Sequence, residues 1–172
     1  MSYLSMRDTL DCADKLRAEH DALALVDVLA LPSDAALLAV MRRVSRKTAR
    51  VPLEDALVLV DALLYQVGNG GFDQFFFQES GARARDTVTA LELLGCTRMA
   101  TTLQRAINAF PDADIPADTE QRRARMRGAQ DPRDTWDVLD SLFYDMEAES
   151  LDVIVAHLRS AAVLDLPPIH GA

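Results

Sequence analysis

Leu53-Glu54-Asp55-Ala56-Leu57-Val58-Leu59-Val60-Asp61-Ala62-Leu63-Leu64-Tyr65-Gln66-Val67-Gly68-Asn69-Gly70-Gly71-Phe72-Asp73-Gln74-Phe75-Phe76-Phe77 is the stretch that decides the fold. Pro52, just before it, suits the first turn of a helix, where its missing N–H costs nothing. Glu54 and Asp55 follow in that turn, at the positive end of the helix dipole. Residues 53–67 are apolar almost all round, the pattern of a helix buried at the centre of a bundle. Gly68 is expected to end it. Asn69-Gly70-Gly71 then reads as a tight turn with at least one positive φ. The turn sends Phe72, Phe75 and Phe76 back toward the core. On this reading Asn69, Gly70, Gly71, Phe72, Gln74, Phe75 and Phe76 are structural residues.

Helical spacing and stop signals continue on both sides. Upstream, one helical segment starts near Ser5 and runs to Pro32, and Ser33 is placed to cap a second. In that second helix Leu37, Leu38, Met41 and Val44 face inward. Downstream, a helix over 82–94 stops at Gly95 and one over 97–110 stops at Pro111. A loop over 111–118 leads to a basic helix over 119–127. Helices over 132–147 and 150–163 complete the chain, and Leu166-Pro167-Pro168 forms a tail. No run alternates polar and apolar residues in the manner of a strand. The expected fold is all-α, a single multi-helix bundle of about eight helices. It occupies residues 1–172 as one domain, with N-terminal helices over 5–50. Apolar residues make up 49% of the 172, enough for a real core.

Chemistry is harder to find. Cys12 and Cys96 lie far apart with no histidine cluster nearby, which argues against a disulfide framework or a zinc site. His20, His157 and His170 have no metal-ligand spacing. The Gly68-Asn69-Gly70-Gly71 element lacks the Lys-Ser or Lys-Thr of a phosphate loop and follows a helix instead of a strand. Ser80 lacks a nucleophile elbow. No secretory leader is visible at the first residues, and no apolar run approaches a bilayer span, so the chain is expected in the cytoplasm. No cofactor is implied, and no metal.

Charge carries more information. The net charge is −9, which disfavours direct contact with nucleic acid or anionic lipid. Two basic runs oppose it, Arg42-Arg43-Arg46-Lys47-Arg50 and Arg122-Arg123-Arg125-Arg127. Neither is interleaved with aromatic residues, so they read as solvated faces or as partners for acids in this chain or in a second subunit. From Gln130 onward, nine acids face two bases, a net of −7 out of the total −9. Trp136, Leu139, Phe143 and Met146 repeat at helical spacing and should face the core. Asp134, Asp137 and Asp145 then fall outside, with Asp140 on the flank. Such a row can stand in for the phosphates of a duplex, which carry about one charge per 1.7 Å of axis.

A resemblance adds to this reading. Residues 65–77, followed by Ser80-Gly81, resemble the NGGF-x-QFF signature of a bacterial family of DNA-mimic proteins, the DMP-nineteen-like family. Ala90-Leu91, Leu94-Gly95, Arg105-Ala106, Phe110-Pro111, Leu139-Asp140 and Phe143-Tyr144 extend the resemblance over roughly residues 55–160. It implies an all-helical fold. It also implies a dimeric acidic protein that occupies the DNA-binding face of a transcription factor and so relieves repression. The resulting expectation is a non-enzymatic binding protein with a basic protein partner such as a transcription regulator, and room for a homodimer. Its binding face is expected to comprise Asp131, Asp134, Asp137, Asp140, Asp145, Glu147, Glu149 and Asp152. Two alternatives stand beside it. One is an enzyme with a polar site built from Asn69, Asp73, Gln74, Glu79 and Ser80. The other is an assembly or immunity-type protein that uses Phe75, Phe76 and Phe77 as an interface.

Overall fold

The computed structural model describes residues 6–127 and 132–161. Eight α-helices follow one another: α1 (Met6–Ala22), α2 (Leu25–Leu29), α3 (Ser33–Ser45), α4 (Pro52–Phe77), α5 (Ala84–Leu93), α6 (Thr97–Ala109), α7 (Thr119–Met126) and α8 (Arg133–Ser160). Short 3-10 turns at Glu79–Arg83 and Pro111–Ala113 complete the described elements, and no strand occurs among them. The expected all-α bundle is therefore what forms.

The long helices α4 and α8 organise the molecule. Helix α4 packs on α3, α5, α7 and α8, while α8 lies against α6 and α4 and also against α2 and α3. At 28 residues, α8 spans about 42 Å. The sequence had suggested two helices here, over 132–147 and 150–163. They are one, because Glu147-Ala148-Glu149-Ser150 holds no glycine or proline. Ser150 is also buried in line with Met146 and Ile154, so the inward stripe runs on unbroken. The opposite error occurs at the N-terminus, where the single segment expected up to Pro32 is interrupted between Ala22 and Leu25. Ser33 does not cap α3. Pro32 holds the N-cap position, and the Ser33 hydroxyl donates to Asp152 at 2.5 Å instead.

Gly95 does what the sequence asked of it. At φ +82° it follows α5, with Cys96 N–H donating to Leu91 O (2.8 Å) and Gly95 N–H to Glu92 O (3.0 Å). These two bonds satisfy carbonyls that the helix end would leave free.

The core is aromatic where α4 meets α8. Phe76 stacks on Trp136 with ring centroids 4.9 Å apart, and Phe72 meets Phe143 edge-on at 5.6 Å. Phe110 closes the cluster from the end of α6. The Trp136 indole N–H, the polar handle of this cluster, donates to Ala106 O at 3.0 Å. Phe72, Phe75, Phe76, Phe110, Trp136 and Phe143 are all essentially inaccessible to solvent. Each stabilises the fold by about 1.5–3 kcal/mol through burial.

Candidate functional site

Two features of α8 define the candidate site: an inner edge that holds a break in α4, and an outer face that carries acids. The break comes first because it fixes the position of the helix. Gly68 and Asn69 keep helical backbone, so α4 does not end at Gly68 as expected. Its regularity fails at Gly70 (φ −173°, ψ 31°) and Gly71 (φ 70°, ψ −169°). Gly71 occupies a region open essentially to glycine alone. A Cβ on it would lie 2.0 Å from Asp140 Oδ2.

A break in a helix leaves an unpaired donor and acceptor. Both are satisfied by α8. The Asp140 carboxylate accepts the Phe72 N–H at 2.8 Å, acting as an N-cap supplied from another helix. The Tyr144 hydroxyl donates to Val67 O at 2.8 Å. Burial raises the Asp140 pKa above its ordinary value. The Phe72 N–H opposes that shift, and Asp137 and Asp73 add to it. Burial likewise raises the pKa of Tyr144, with Asp140 and Glu147 contributing. Asp140 and Tyr144 are thus a latch one turn apart, which the sequence reading had not separated from the acidic surface. The available signal was Gly71: a position that must be glycine implies something pressed against it.

The outer face of α8 carries Asp134, Asp137, Asp145, Glu149 and Asp152, all exposed. At 3.6 residues per turn they fall within an arc of about 120°, and Asp134 to Asp152 covers about 27 Å of axis. Glu149 pairs with Arg98, and Asp152 accepts the Ser33 hydroxyl. Glu147 is half-buried, and Asp140 turns inward as described. Asp131 lies outside the described residues. Asp134, Asp137 and Asp145 form no ion pair among the described residues, while Arg133 beside them reaches Asp73 at 3.3 Å. Val138 and Leu142 are exposed on the same outer side.

The two basic runs do not neutralise this face, because most of their cations are committed within the bundle. Arg42 pairs with Asp21 at 2.6 Å, and Lys47 pairs with the buried Glu54 at 2.7 Å. Buried Arg43 donates to the carbonyls of His20, Asp21 and Leu23, where α1 ends. Arg122 is fully buried. It donates to Phe76 O (2.7 Å), Gln78 O (2.6 Å), Pro116 O (2.8 Å) and Ala117 O (3.2 Å). Its guanidinium therefore closes the C-terminal end of α4, where the helix dipole favours a cation. Arg123 donates to Phe77 O and stacks over the Phe77 ring at 4.1 Å, and Arg125 pairs with Asp114.

Several residues of the alternative polar site are bonded to separate partners. Asn69 donates back to Tyr65 O at 2.6 Å, Asp73 faces Arg133, and Gln74 donates to Gln66 Oε1 at 3.1 Å. Glu79 and Ser80 line an open polar cleft with Gln66, Gln78, Thr119, Glu120 and Arg123. Among the described residues, no three His, Cys, Asp or Glu side chains are grouped to hold a metal. Of the aromatic trio, Phe75 and Phe76 are sealed in the core, and Phe77 is 37% exposed beneath Arg123. Cys96 is buried, which pushes its thiol up to about 11. Among the described residues, no helix is long and apolar enough to cross a membrane.

Residues 51–161 match the family model of the DMP19-like protein, a span that runs from the start of α4 to just past the end of α8. No curated protein and no solved structure matches the chain.

Proposed function

We propose, from the premise that this chain belongs to the DMP19-like protein family, that it is a non-enzymatic binding protein whose acidic α8 face takes the place of nucleic acid on a basic protein partner such as a DNA-binding regulator. One observation carries this reading. Asp134, Asp137 and Asp145 stand exposed on one helix and form no ion pair among the described residues, while most cations of the basic runs are bonded to other groups of the bundle. The charge these acids present is not cancelled locally. The latch of Asp140 and Tyr144 ties α8 to α4 and so holds the acidic face in one orientation on the bundle.

Magnitudes define how far the substitution for DNA extends. The three acids from Asp134 to Asp145 cover about 17 Å, one charge per roughly 6 Å, against one per about 1.7 Å of duplex. The face replaces part of one phosphate track and not a whole duplex. Association should therefore be steered by charge and weakened by salt. It should be weaker in salt dependence than DNA binding by the same partner, since a protein surface has no condensed counterions to release.

The test is affinity capture from the native lysate at low salt, with elution by a salt gradient and identification by mass spectrometry. The reading predicts a basic DNA-binding protein that elutes at moderate salt and is not retained by a D134N/D137N/D145N variant. Retention that ignores both salt and the triple substitution would contradict it.

A further inference from the structure

The outer face of α8 is not purely anionic. Val138 and Leu142, one turn apart, are 61% and 37% exposed. By helical geometry both lie on one side of the line through Asp134, Asp137 and Asp145. An apolar strip one turn long thus lies beside an acidic track of about three turns. A track of phosphates has no apolar neighbour of this kind, so a partner that fits both strips is chemically distinct from one that fits DNA alone. Val138 and Leu142 give this charged face an apolar strip that a partner can cover beside the acids.

We infer that this face seats a cationic amphipathic α-helix of the partner protein. This rests on the reading of the acidic face given above and narrows the partner's chemistry. The partner helix lays its apolar ridge on Val138 and Leu142, in the manner of helices packed at a shallow angle. Its Lys or Arg flank runs along Asp134, Asp137 and Asp145. Charge complementarity orients the helix, since the reverse placement would leave the apolar ridge over carboxylates. An unstructured basic tail would use the acidic track alone and leave the apolar one exposed.

Two labelled peptides of about 18 residues and identical Leu and Lys content separate these possibilities. In one the leucines recur at helical spacing. In the other the order is scrambled so that no apolar face forms. Binding is read by fluorescence anisotropy across a salt series. The proteins are the wild-type chain, a V138S/L142S variant and the D134N/D137N/D145N variant, each checked by circular dichroism for retained helix. The inference predicts that the amphipathic peptide binds more tightly than the scrambled one. It also predicts that V138S/L142S loses roughly tenfold in affinity for it with an unchanged salt dependence, and that the triple Asn variant loses affinity and salt dependence together. Equal binding of the two peptides, with no effect of V138S/L142S, would overturn the amphipathic partner while leaving the acidic face standing. Binding that survives the triple Asn substitution would overturn both.

Discussion

Replacing Gly71 by alanine is the sharpest perturbation the fold offers. Two costs combine. The backbone at φ 70°, ψ −169° is strained for any residue with a Cβ, which costs about 1–3 kcal/mol. The new methyl would also lie 2.0 Å from Asp140 Oδ2, so the carboxylate must leave the Phe72 N–H. An abandoned buried donor costs about 1–3 kcal/mol. The sum is about 2–6 kcal/mol, a large part of the roughly 5–15 kcal/mol that stabilises an ordinary domain. Urea unfolding followed by fluorescence reads this directly, because Trp136, the single tryptophan, stacks on Phe76 four residues beyond Phe72. The midpoint should fall by about 1 M or more. Asp140→Ala removes the same cap by a separate route. The double variant should therefore lose about 1–3 kcal/mol less than the sum of the two singles. Gly68→Ala is the control: nothing lies within 4 Å of a Cβ there, and in a helix the change should stabilise by about 0.5–1 kcal/mol. A Gly71→Ala protein as stable as wild type, or strict additivity with Asp140→Ala, would refute the latch.

Further outcomes follow from the same contacts. Arg122→Met should cost about 3–5 kcal/mol in urea unfolding, because several buried carbonyls lose their donor at once. Arg125→Ala, at an exposed pair, should stay within about 1 kcal/mol. Tyr144→Phe removes the hydroxyl's bond to Val67 O and should cost about 0.5–1.5 kcal/mol, with amide exchange accelerated first around residues 67–72. The native pKa of Asp140 lies above its unfolded value. Its titration therefore contributes stability that is complete below the unfolded pKa and is lost as pH rises through the native one. Unfolding midpoints of wild type and Asp140→Asn, compared across the acidic range, should show that slope in wild type alone, and parallel curves would contradict it.

The fold was legible because its signals are local. The apolar run of α4, Pro52 in its first turn and Gly95 after α5 each follow from a few adjacent residues. The joining of 132–147 to 150–163 was missed because Glu147 to Ser150 reads as a polar gap, although only glycine or proline would have broken the backbone there. The extent of α4 past Gly68 was missed for a related reason. Asn69-Gly70-Gly71 marks a turn in any isolated peptide, and only the capture of Val67 O and Phe72 N–H by Tyr144 and Asp140 lets helix resume. Of the candidate site, the exposure of Asp134, Asp137 and Asp145 followed from the Trp136, Leu139, Phe143 and Met146 register. The inward turn of Asp140 did not, since its partner lies 68 residues away. The destination of the basic runs was equally invisible, because Arg43 and Arg122 bond to backbone carbonyls that leave no mark in a sequence.

The most direct measurement of the central claim is a competition. A DNA-binding regulator captured from the lysate is bound to its labelled duplex, and the wild-type chain or its D134N/D137N/D145N variant is titrated in. The account predicts that the wild-type chain displaces the duplex, less effectively as salt rises, and that the variant does not. Displacement by both proteins alike, or a ternary complex in which duplex and chain are held together, would contradict it.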